Sequence, residues 1–555
     1  MRRMSQTDKS LLAKHFADEC DFVEQITDIA EALRFVPSIQ DRKAQLPSYL
    51  EKLHLPPMAY VPLVKATDPF ERIVRIPTKE GTAFSTKARV PILLIFEVIR
   101  GNPFDDNQQQ DASVPESPRS PSTRNTNGNG GLESSEVNYV EDDEIGEMIG
   151  HQASEAFAEE VEEIQAETMI PPPANPEPYQ TPVAAPRRAP VPETPIDVPD
   201  IVSTPSTAPP ILMKPAGSAI DGANTGGVTV EGQPSTPLEM DFAAGNLTAE
   251  AMEREKARRR DFEAAFGESW SSKRTRLMAA SPYGHLPGWD IVSMIGKSND
   301  DLRQEVFTLQ LIQKFVEIFR GAHLPMWVKR YRIIATSSST GLIETLINAI
   351  SLDGLKKREG YVSLLHHFEK SYGPPDSHRF KEARRKFIQS MAGYSLVCYF
   401  LQIKDRHNGN IMLDNEGHII HIDYGFLLGI APGGMLSIET APFKLTAEMV
   451  DTMGGQDSEG FKEYVTLCTR GFLACQQHCD EICDLVDVMS RQSPYPCFLG
   501  IDADYILLRL RSRFKLSLSK QETVAHVLSL IRKSNSNYST RQYDNFQRMT
   551  NGILP

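Results

Sequence analysis

A long stretch of unusual composition between residues 102 and 280 most constrains how this chain can fold. It contains a glutamine run (108–110), an Asn- and Gly-rich run (125–131), an acidic run (141–144) and a proline-rich tract (171–215). Sequences of this kind bury too little apolar surface to offset the entropy lost on ordering. We therefore expect residues 102–280 to form a disordered insertion. Near its end, Thr248–Phe266 has a charged helical pattern, in which Arg258, Arg259 and Arg260 suggest a solvated face.

Apolar runs typical of β-strands lie on both sides of this insertion. Ile73–Ile76 and Pro91–Ile99 precede it, and Ile291–Lys297 and Tyr331–Thr336 follow it. One lobe can accommodate so long a loop because closure costs only about 0.6 kcal/mol more for each doubling of loop length. We expect the two ends of the insertion to lie close together.

Helical spacing dominates the two ends of the chain. Phe22, Ile26, Ile29 and Leu33 recur at intervals of three or four residues, and helical patterns prevail again beyond Gly360. The sequence thus predicts an α/β (α+β) architecture with two lobes. Its expected segments are a helical region (1–56), a β-rich N-lobe in two parts (57–101 and 281–346) and a mainly helical C-lobe (347–555).

Two polar clusters flank a predicted hairpin in the C-lobe. Asp405–Asn410 precedes the hairpin, His421–Gly425 follows it, and apolar runs surround the polar tip Asp414–Gly417. Such a hairpin lets Asp405 and Asn410 face Asp423. Their oxygens suit Mg²⁺, and a carboxylate beside the nucleophile is what phosphoryl transfer needs. The alternative is an ordinary solvated turn.

The order Asp-Arg-His-Asn-Gly-Asn, followed by His-Ile-Asp-Tyr-Gly, resembles the catalytic and metal-binding loops of the phosphatidylinositol 3/4-kinase superfamily. Segments such as Ser281–Pro287, Gly393–Tyr399 and Tyr543–Gln547 are similar to the type III beta phosphatidylinositol 4-kinases. The similarity is weak from Phe22 to Ile99 and strong from Ser281 onward. It implies a protein-kinase-like fold with a β-rich N-lobe and a helical C-lobe.

The resemblance implies a set of site residues. The catalytic residues would be Asp405, Arg406 and His407, with Asp405 and His407 sharing the acceptor hydroxyl and either able to take its proton. The ATP-binding residues would be Lys297, Glu305, Tyr331, Glu344, Leu346, Ile422, Ser85, Thr86 and Lys87, with Glu305 paired to Lys297. Asn410 and Asp423 would bind the metal, and Gly425, Phe426 and Lys444 would belong to the substrate loop.

The implied reaction transfers phosphate from ATP to the inositol 4-hydroxyl of phosphatidylinositol, with Mg²⁺, or alternatively Mn²⁺, as the metal. The stretch from Asp423 to Phe443 contains no Lys or Arg, and Lys444 follows it. A headgroup that already carried phosphates would need a basic fork there, so the unphosphorylated lipid is favoured.

The sequence also indicates where such an enzyme would act and with which partners. The net charge of −14 argues against nucleic acid as a partner, and the seven cysteines do not make a disulfide scaffold. There is no secretory signal, and no apolar run approaches the roughly 20 residues that span a bilayer. We expect a cytoplasmic protein, peripheral on membranes, and the resemblance implies the Golgi. Small GTPases and adaptor proteins bind relatives through N-terminal regions that are short here, which leaves these partners in doubt.

Several alternatives stay open at this point. A phosphatidylinositol 3-kinase, a related protein Ser/Thr kinase, or a scaffold acting through the insertion would share parts of the pattern. Cys475, Cys479 and Cys483 fit a buried stripe better than a metal site. Tyr543, Phe546 and Met549 fit either an interfacial helix or packing onto the C-lobe. Three residues depart from the family pattern: Gly296, Asn299 and Tyr424.

Overall fold

The computed structural model describes residues 6–63, 68–84, 89–101, 249–434 and 437–555. Its helices are α1 (Gln6–Arg34), α2 (Ile39–Leu50), α3 (Ala249–Phe266), α4 (Trp270–Ala280), α5 (Arg303–Gly321), α6 (Leu352–Lys356), α7 (Leu364–Tyr372), α8 (His378–Leu401), α9 (Ala447–Met453), α10 (Glu459–Gln477), α11 (Cys479–Ser490), α12 (Ala503–Arg513), α13 (Lys520–Ser534) and α14 (Tyr538–Asn551). Its strands are β1 (Glu71–Arg75), β2 (Thr82–Ala83), β3 (Ile92–Arg100), β4 (Trp289–Ser298), β5 (Ile333–Ala335), β6 (Thr340–Glu344), β7 (Ala349–Ser351), β8 (Ile411–Asp414) and β9 (Ile419–His421). The expected mixed fold, with a sheet-rich N-terminal part and a helical C-terminal part, is confirmed.

The N-lobe is built on a six-stranded antiparallel sheet in the order β1-β3-β4-β6-β5, with β2 also paired to β3. Helix α1 covers one face, where Phe22 and Ile26 are fully buried and the Phe22 ring packs against Phe96 of β3. On the other face, Leu277 of α4 packs with Ile95. Residues on both faces of β3 are therefore buried, which explains why its sequence is an almost unbroken apolar run.

The two ends of the insertion meet at the end of this sheet. The Arg100 backbone N–H donates to the Gly288 carbonyl at 2.9 Å, and Ile99 pairs with Trp289 across β3 and β4. Gly288 has φ 76°, and an added Cβ would lie 2.2 Å from the Arg100 oxygen, so this approach requires glycine. The expectation that the ends lie close together is confirmed.

The expectation that disorder extends to residue 280 is wrong for its last part. Residues 249–280 form α3 and α4, and the helix predicted over Thr248–Phe266 is confirmed as α3. The Phe266 ring packs against His367 of α7, and Arg258 donates to the Ser371 carbonyl at 2.8 Å, so the arginine run is not simply a solvated face. Residues 102–248 lie outside the described ranges.

The C-lobe is organised around α8, whose second half is buried. Helix α10 packs along α8 and against α13. Strands β7, β8 and β9 form a three-stranded antiparallel sheet beside α8, and Ile411 pairs with His421 across the β8-β9 hairpin. The predicted hairpin is confirmed, and it brings the two polar clusters together.

The cysteine stripe lies in the C-lobe core. Cys475 is on α10, whereas Cys479 and Cys483 are on α11, and all three are buried. Within the described ranges, no group of three or more His, Cys, Asp or Glu side chains could hold a metal ion. These thiols pack as small apolar groups.

Helix α14 presents different residues to the protein and to solvent. Tyr543 is buried, whereas Phe546 and Met549 are 47% and 76% exposed. Packing onto the protein therefore holds for the face that carries Tyr543, and an interfacial role of the exposed face stays a prediction. As far as the structure is described, its helices are too short or too polar to cross a membrane.

Candidate active site

The loop that carries Asp405 begins where α8 ends. Gln402 (φ 51°) caps that helix, and Asp405 (φ 66°) also adopts a left-handed backbone conformation. The partly buried Glu439 carboxylate accepts the Asp405 backbone N–H at 2.7 Å. Burial raises the pKa of Glu439, while Lys404, Arg406 and the backbone N–H bonds oppose this shift. Glu439 thus anchors the loop from a position 34 residues further along the chain.

Arg406 ties the two polar clusters to each other. Its guanidinium donates to the carbonyl oxygens of Lys404 at 2.9 Å, Ile422 at 2.8 Å and Asp423 at 2.5 Å. The residue is 2% exposed. These contacts hold the two loops in register, and a catalytic role of Arg406 stays a prediction.

Asn410 and Asp423 lie on opposite flanks of the hairpin, joined by the Ile422 N–H bond to the Asn410 carbonyl at 3.1 Å. The Asn410 side-chain N–H donates to the Asp405 carbonyl at 3.0 Å, which leaves its amide oxygen for another ligand. Mg²⁺ commonly takes one or two protein oxygens and completes its shell with substrate phosphates and water. One amide oxygen and one carboxylate fit that requirement.

Asp405 and His407 are adjacent, with 3.7 Å between Asp405 Oδ1 and His407 Nε2. The Gly409 backbone N–H donates to His407 Nδ1 at 3.1 Å, so the neutral imidazole carries its proton on Nε2. Burial and the nearby Arg406 lower the pKa of His407 to about 4. At neutral pH this ring therefore carries its N–H on the nitrogen nearest Asp405, although 3.7 Å is too long for a hydrogen bond between them. Burial raises the pKa of Asp405, against the opposing effects of its Tyr543 hydrogen bond and Arg406.

Lys297 lies on β4, and the Asp423 carboxylate is among the groups that act on its charge. Burial lowers the pKa of Lys297, but attraction by Glu305, Asp423 and Asp300 outweighs it, so the pKa is raised. Its direct contact is Asp300 Oδ2 at 3.4 Å. The expected Lys297–Glu305 ion pair is thus corrected: Glu305 attracts the ammonium, but its Oε1 accepts the Tyr331 hydroxyl at 2.6 Å.

The polar turn expected over the ATP phosphates falls partly outside the described ranges, since Ser85, Thr86 and Lys87 are not among them. The next described residue, Arg89, forms an ion pair with Asp300 Oδ1 at 2.9 Å. Asp300 therefore contacts both Arg89 and Lys297. Arg89, which follows this turn, is thus linked to Lys297 through Asp300.

Lys444 is placed differently from the expectation. Its ammonium bonds both carboxylate oxygens of Asp544 on α14, at 2.7 and 2.8 Å, and the residue is 7% exposed. A buried, neutralised lysine has no charge to offer a headgroup. Of the other substrate-loop residues, Gly425 is exposed, and the Phe426 carbonyl accepts the Lys404 N–H at 3.0 Å.

The sequence around this site was compared with those of known protein families. The profile described as phosphatidylinositol 3- and 4-kinase matches residues 291–497, which contain Lys297, Asp405, Asn410 and Asp423. Residues 291–497 are thus similar to the kinase domain of this family. The resemblance expected from the two loops is confirmed.

Individual relatives agree with the family match. The chain is 44% identical to "Phosphatidylinositol 4-kinase beta 1" of Arabidopsis thaliana over 345 residues, which are 61% of this chain and 30% of that protein. It is 45% identical to "Phosphatidylinositol 4-kinase" of Dictyostelium discoideum over 289 residues, 52% of this chain and 24% of that protein. It is 42% identical to "Phosphatidylinositol 4-kinase beta" of Homo sapiens over 290 residues, 52% of this chain and 35% of that protein. The matched region spans about a third or less of each of these relatives.

The three departures from the pattern of the phosphatidylinositol 3/4-kinases have physical explanations. Asn299 has φ 54°, a left-handed conformation that asparagine tolerates better than most residues other than glycine. A Cβ on Gly296 would lie 3.2 Å from Ile26 of α1, so glycine lets that helix pack closely on β4. The Tyr424 hydroxyl donates to the His421 carbonyl at 2.8 Å and is therefore satisfied although buried.

The residues expected around adenine occupy the junction between the lobes. The Glu344 carboxylate accepts the Arg332 N–H at 2.8 Å at the end of β6, while Leu346 and Ile422 are partly buried. The Tyr331 ring is 2% exposed and lies parallel to Tyr424, 6.4 Å between centroids. The buried Tyr331 therefore holds the Glu305 carboxylate in place through its hydroxyl hydrogen bond.

Two further residues, Gln304 and Tyr543, lie at this site, although the sequence patterns did not place them there. Gln304 of α5 donates to the Tyr424 and Gly425 carbonyls at 3.2 and 2.8 Å and accepts the Cys497 N–H at 2.9 Å. Tyr543 of α14 donates its hydroxyl to Asp405 Oδ1. Both lie more than 100 residues from their partners, and no local spacing signals such contacts.

Proposed function

We propose that this chain is an ATP-dependent lipid kinase, a 1-phosphatidylinositol 4-kinase that converts phosphatidylinositol to phosphatidylinositol 4-phosphate. The observation that carries the proposal is the convergence of Lys297, Asp405, Asn410 and Asp423 on one hairpin and strand within the matched domain. The names of the relatives support the 4-hydroxyl as the acceptor.

In the proposed mechanism, Lys297 binds the ATP phosphates, while Asn410 and Asp423 hold Mg²⁺, or alternatively Mn²⁺. When bound, the metal neutralises phosphate charge. Asp405 orients the inositol hydroxyl and accepts its proton as the oxygen bonds to the γ-phosphorus and ADP departs. His407 is the donor of the pair, because its Nδ1 is occupied by the Gly409 N–H.

The substrate loop supports an unphosphorylated headgroup. Residues 423–443 contain no Lys or Arg, and the ammonium of Lys444 is neutralised by Asp544. A phosphorylated inositol would bring charge that nothing in residues 423–444 compensates. Plain phosphatidylinositol brings no such charge to the ring.

Membrane contact belongs to the same proposal. The solvent face of α14 carries Phe546 and Met549 beside Arg541 and Arg548, a combination suited to an anionic bilayer surface. We infer a peripheral, cytoplasmic enzyme, with the Golgi as the family-based location. Small GTPases and adaptor proteins are candidate partners on the same family basis alone.

Assays with vesicles test this function directly. The protein is incubated with labelled ATP, Mg²⁺ and vesicles that contain phosphatidylinositol, and in parallel with Ser/Thr peptides. We expect label in the lipid only, and a loss of about 100-fold or more in Lys297→Met and Asp423→Ala. Peptide labelling without lipid labelling, or full activity of Asp423→Ala, would defeat the proposal.

A further inference from the structure

The C-terminal helix α14 is fixed against the catalytic loop near its middle and just beyond its C-terminal end. Lys444 and Asp544 form a buried ion pair near its middle. Beyond the helix, the Leu554 carbonyl accepts from the Asn408 side chain at 2.9 Å, and the Leu554 N–H donates to Asp353 Oδ1 at 2.7 Å. These anchors leave Tyr543 little freedom relative to Asp405.

The direction of the Tyr543 hydroxyl is also fixed. Gln547, one turn further along α14, donates its side-chain N–H to the Tyr543 oxygen at 2.8 Å, and the tyrosine hydroxyl donates to Asp405 Oδ1. Tyr543 and Gln547 are 4% and 6% exposed, so water does not compete freely for these bonds. The chain of donors runs in one direction and ends on the carboxylate.

We propose that Tyr543 is a positioning residue for the transfer reaction, a role that rests on the proposed function. Glu439 fixes the backbone of Asp405, and Tyr543 fixes its side-chain rotamer. A carboxylate offers about four acceptor sites. Tyr543 occupies one of them on Oδ1, and the Asn410 side-chain N–H lies 3.4 Å from Oδ2. With the rotamer held in this way, the remaining acceptor positions face the acceptor hydroxyl, and the carboxylate need not be reoriented during the reaction.

The test is Tyr543→Phe, which removes one hydroxyl and keeps the ring. We expect kcat for phosphatidylinositol to fall by about tenfold or more, with KM for ATP and the melting temperature unchanged, because the nucleotide site is untouched. Gln547→Leu should give a smaller loss in kcat. Tyr538→Phe, at an exposed position on the same helix, is the matched control and should behave as wild type.

The outcomes separate this inference from the proposed function. An unchanged kcat in Tyr543→Phe overturns the positioning role, as does a parallel loss of kcat, ATP affinity and melting temperature, which means that the helix only supports the fold. Absence of lipid phosphorylation by the wild type defeats the proposed function instead. In that case, ATP hydrolysis without lipid reports the same effect of Tyr543→Phe on the orientation of a water nucleophile.

Discussion

Asp405 and His407 occupy one small site, but their surroundings give them different capacities. The carboxylate keeps acceptor positions, whereas the imidazole already uses Nδ1 to accept from Gly409. Burial keeps the imidazole neutral at physiological pH, since its pKa is lowered to about 4. The lone pair of a neutral imidazole is on a single nitrogen, and here Nδ1 uses it to accept from Gly409. The ring can therefore donate its N–H, but it has no lone pair left to take the proton of the substrate hydroxyl.

This assignment predicts an order of effects. Asp405→Asn removes the proton acceptor, and we expect kcat to fall by about 100-fold or more. His407→Gln keeps a side-chain N–H donor and should cost clearly less. Steady-state kinetics with saturating ATP measure both variants, and a larger loss in His407→Gln than in Asp405→Asn would refute the division of roles.

The residues of this site were predictable to different degrees. Asp405, Asn410, Asp423 and Lys297 lie within short patterns whose spacing indicates their chemistry. For Arg406 and Lys444 the sequence patterns could not show the partners that the structure gives them, because these lie elsewhere in the chain: the Ile422 and Asp423 carbonyls for Arg406, and Asp544 for Lys444. Tyr543 and Gln304 act across more than 100 residues, a separation that local patterns do not encode.

At the scale of elements, amphipathic spacing predicted the main helices and the strands around the insertion. The apolar residues of α1 face the sheet, as their spacing indicates. The pattern could not show that α1 packs directly on β4 at Gly296, because that contact depends on a missing side chain in a distant strand. Because α1 packs on the sheet, the predicted N-terminal helical region belongs to the N-lobe core.

Helix α1 carries a buried carboxyl that makes stability depend on pH. Burial raises the pKa of Glu19 from 4.5 to about 7, against a backbone hydrogen bond from Tyr60, and its Oε1 has no hydrogen-bond partner in the described structure. The folded state therefore holds a proton that the unfolded chain releases at lower pH. Stability from this group is present below pH 4.5 and is lost as pH rises to about 7.

Glu19→Gln tests this linkage. The neutral amide should raise the free energy of unfolding by roughly 1–3 kcal/mol at pH 8 and have much less effect at pH 4.5. Denaturant titrations at both pH values measure the difference. Glu24→Gln, on the same helix but less buried, is the control. An equal effect of Glu19→Gln at the two pH values would contradict the prediction.

The solvent-exposed face of helix α14 is predicted to contact the membrane. Replacing Phe546 and Met549 by serine removes apolar surface that could enter a bilayer, while Tyr543 and Asp544 stay in place. Burying one such side chain contributes about 1.5–3 kcal/mol, so we expect affinity for anionic vesicles to fall by about tenfold or more.

Co-sedimentation with vesicles measures this affinity, and activity on soluble short-chain lipid should change little. Leu11→Ser, at an exposed position on α1, is the control and should bind as wild type. Unchanged vesicle binding by the double variant would exclude this face as the membrane contact.

In the whole molecule, the β3-β4 pairing joins the two sides of the insertion directly: Arg100 and Gly288 are hydrogen-bonded. We therefore expect the sheet to close whatever connects these strands. Replacing residues 102–248 by a flexible linker of about 20 residues shortens the connection about sevenfold, close to three halvings, which lowers closure cost by up to about 2 kcal/mol.

We therefore expect the shortened protein to melt at the same or a higher temperature and to keep lipid kinase activity within about twofold. Differential scanning calorimetry and the vesicle assay measure these two quantities. Loss of a cooperative transition would show that the replaced residues contribute to the core.

The ring position of the phosphate in the lipid product tests most directly whether this protein is a phosphatidylinositol 4-kinase. Phosphatidylinositol labelled by the wild-type protein is deacylated, and the glycerophosphoinositol phosphate is separated against standards for each position. We expect label on the 4-hydroxyl and none in the Asp423→Ala reaction. Label on the 3-hydroxyl, or no labelled lipid from a folded protein that binds ATP, would contradict this expectation.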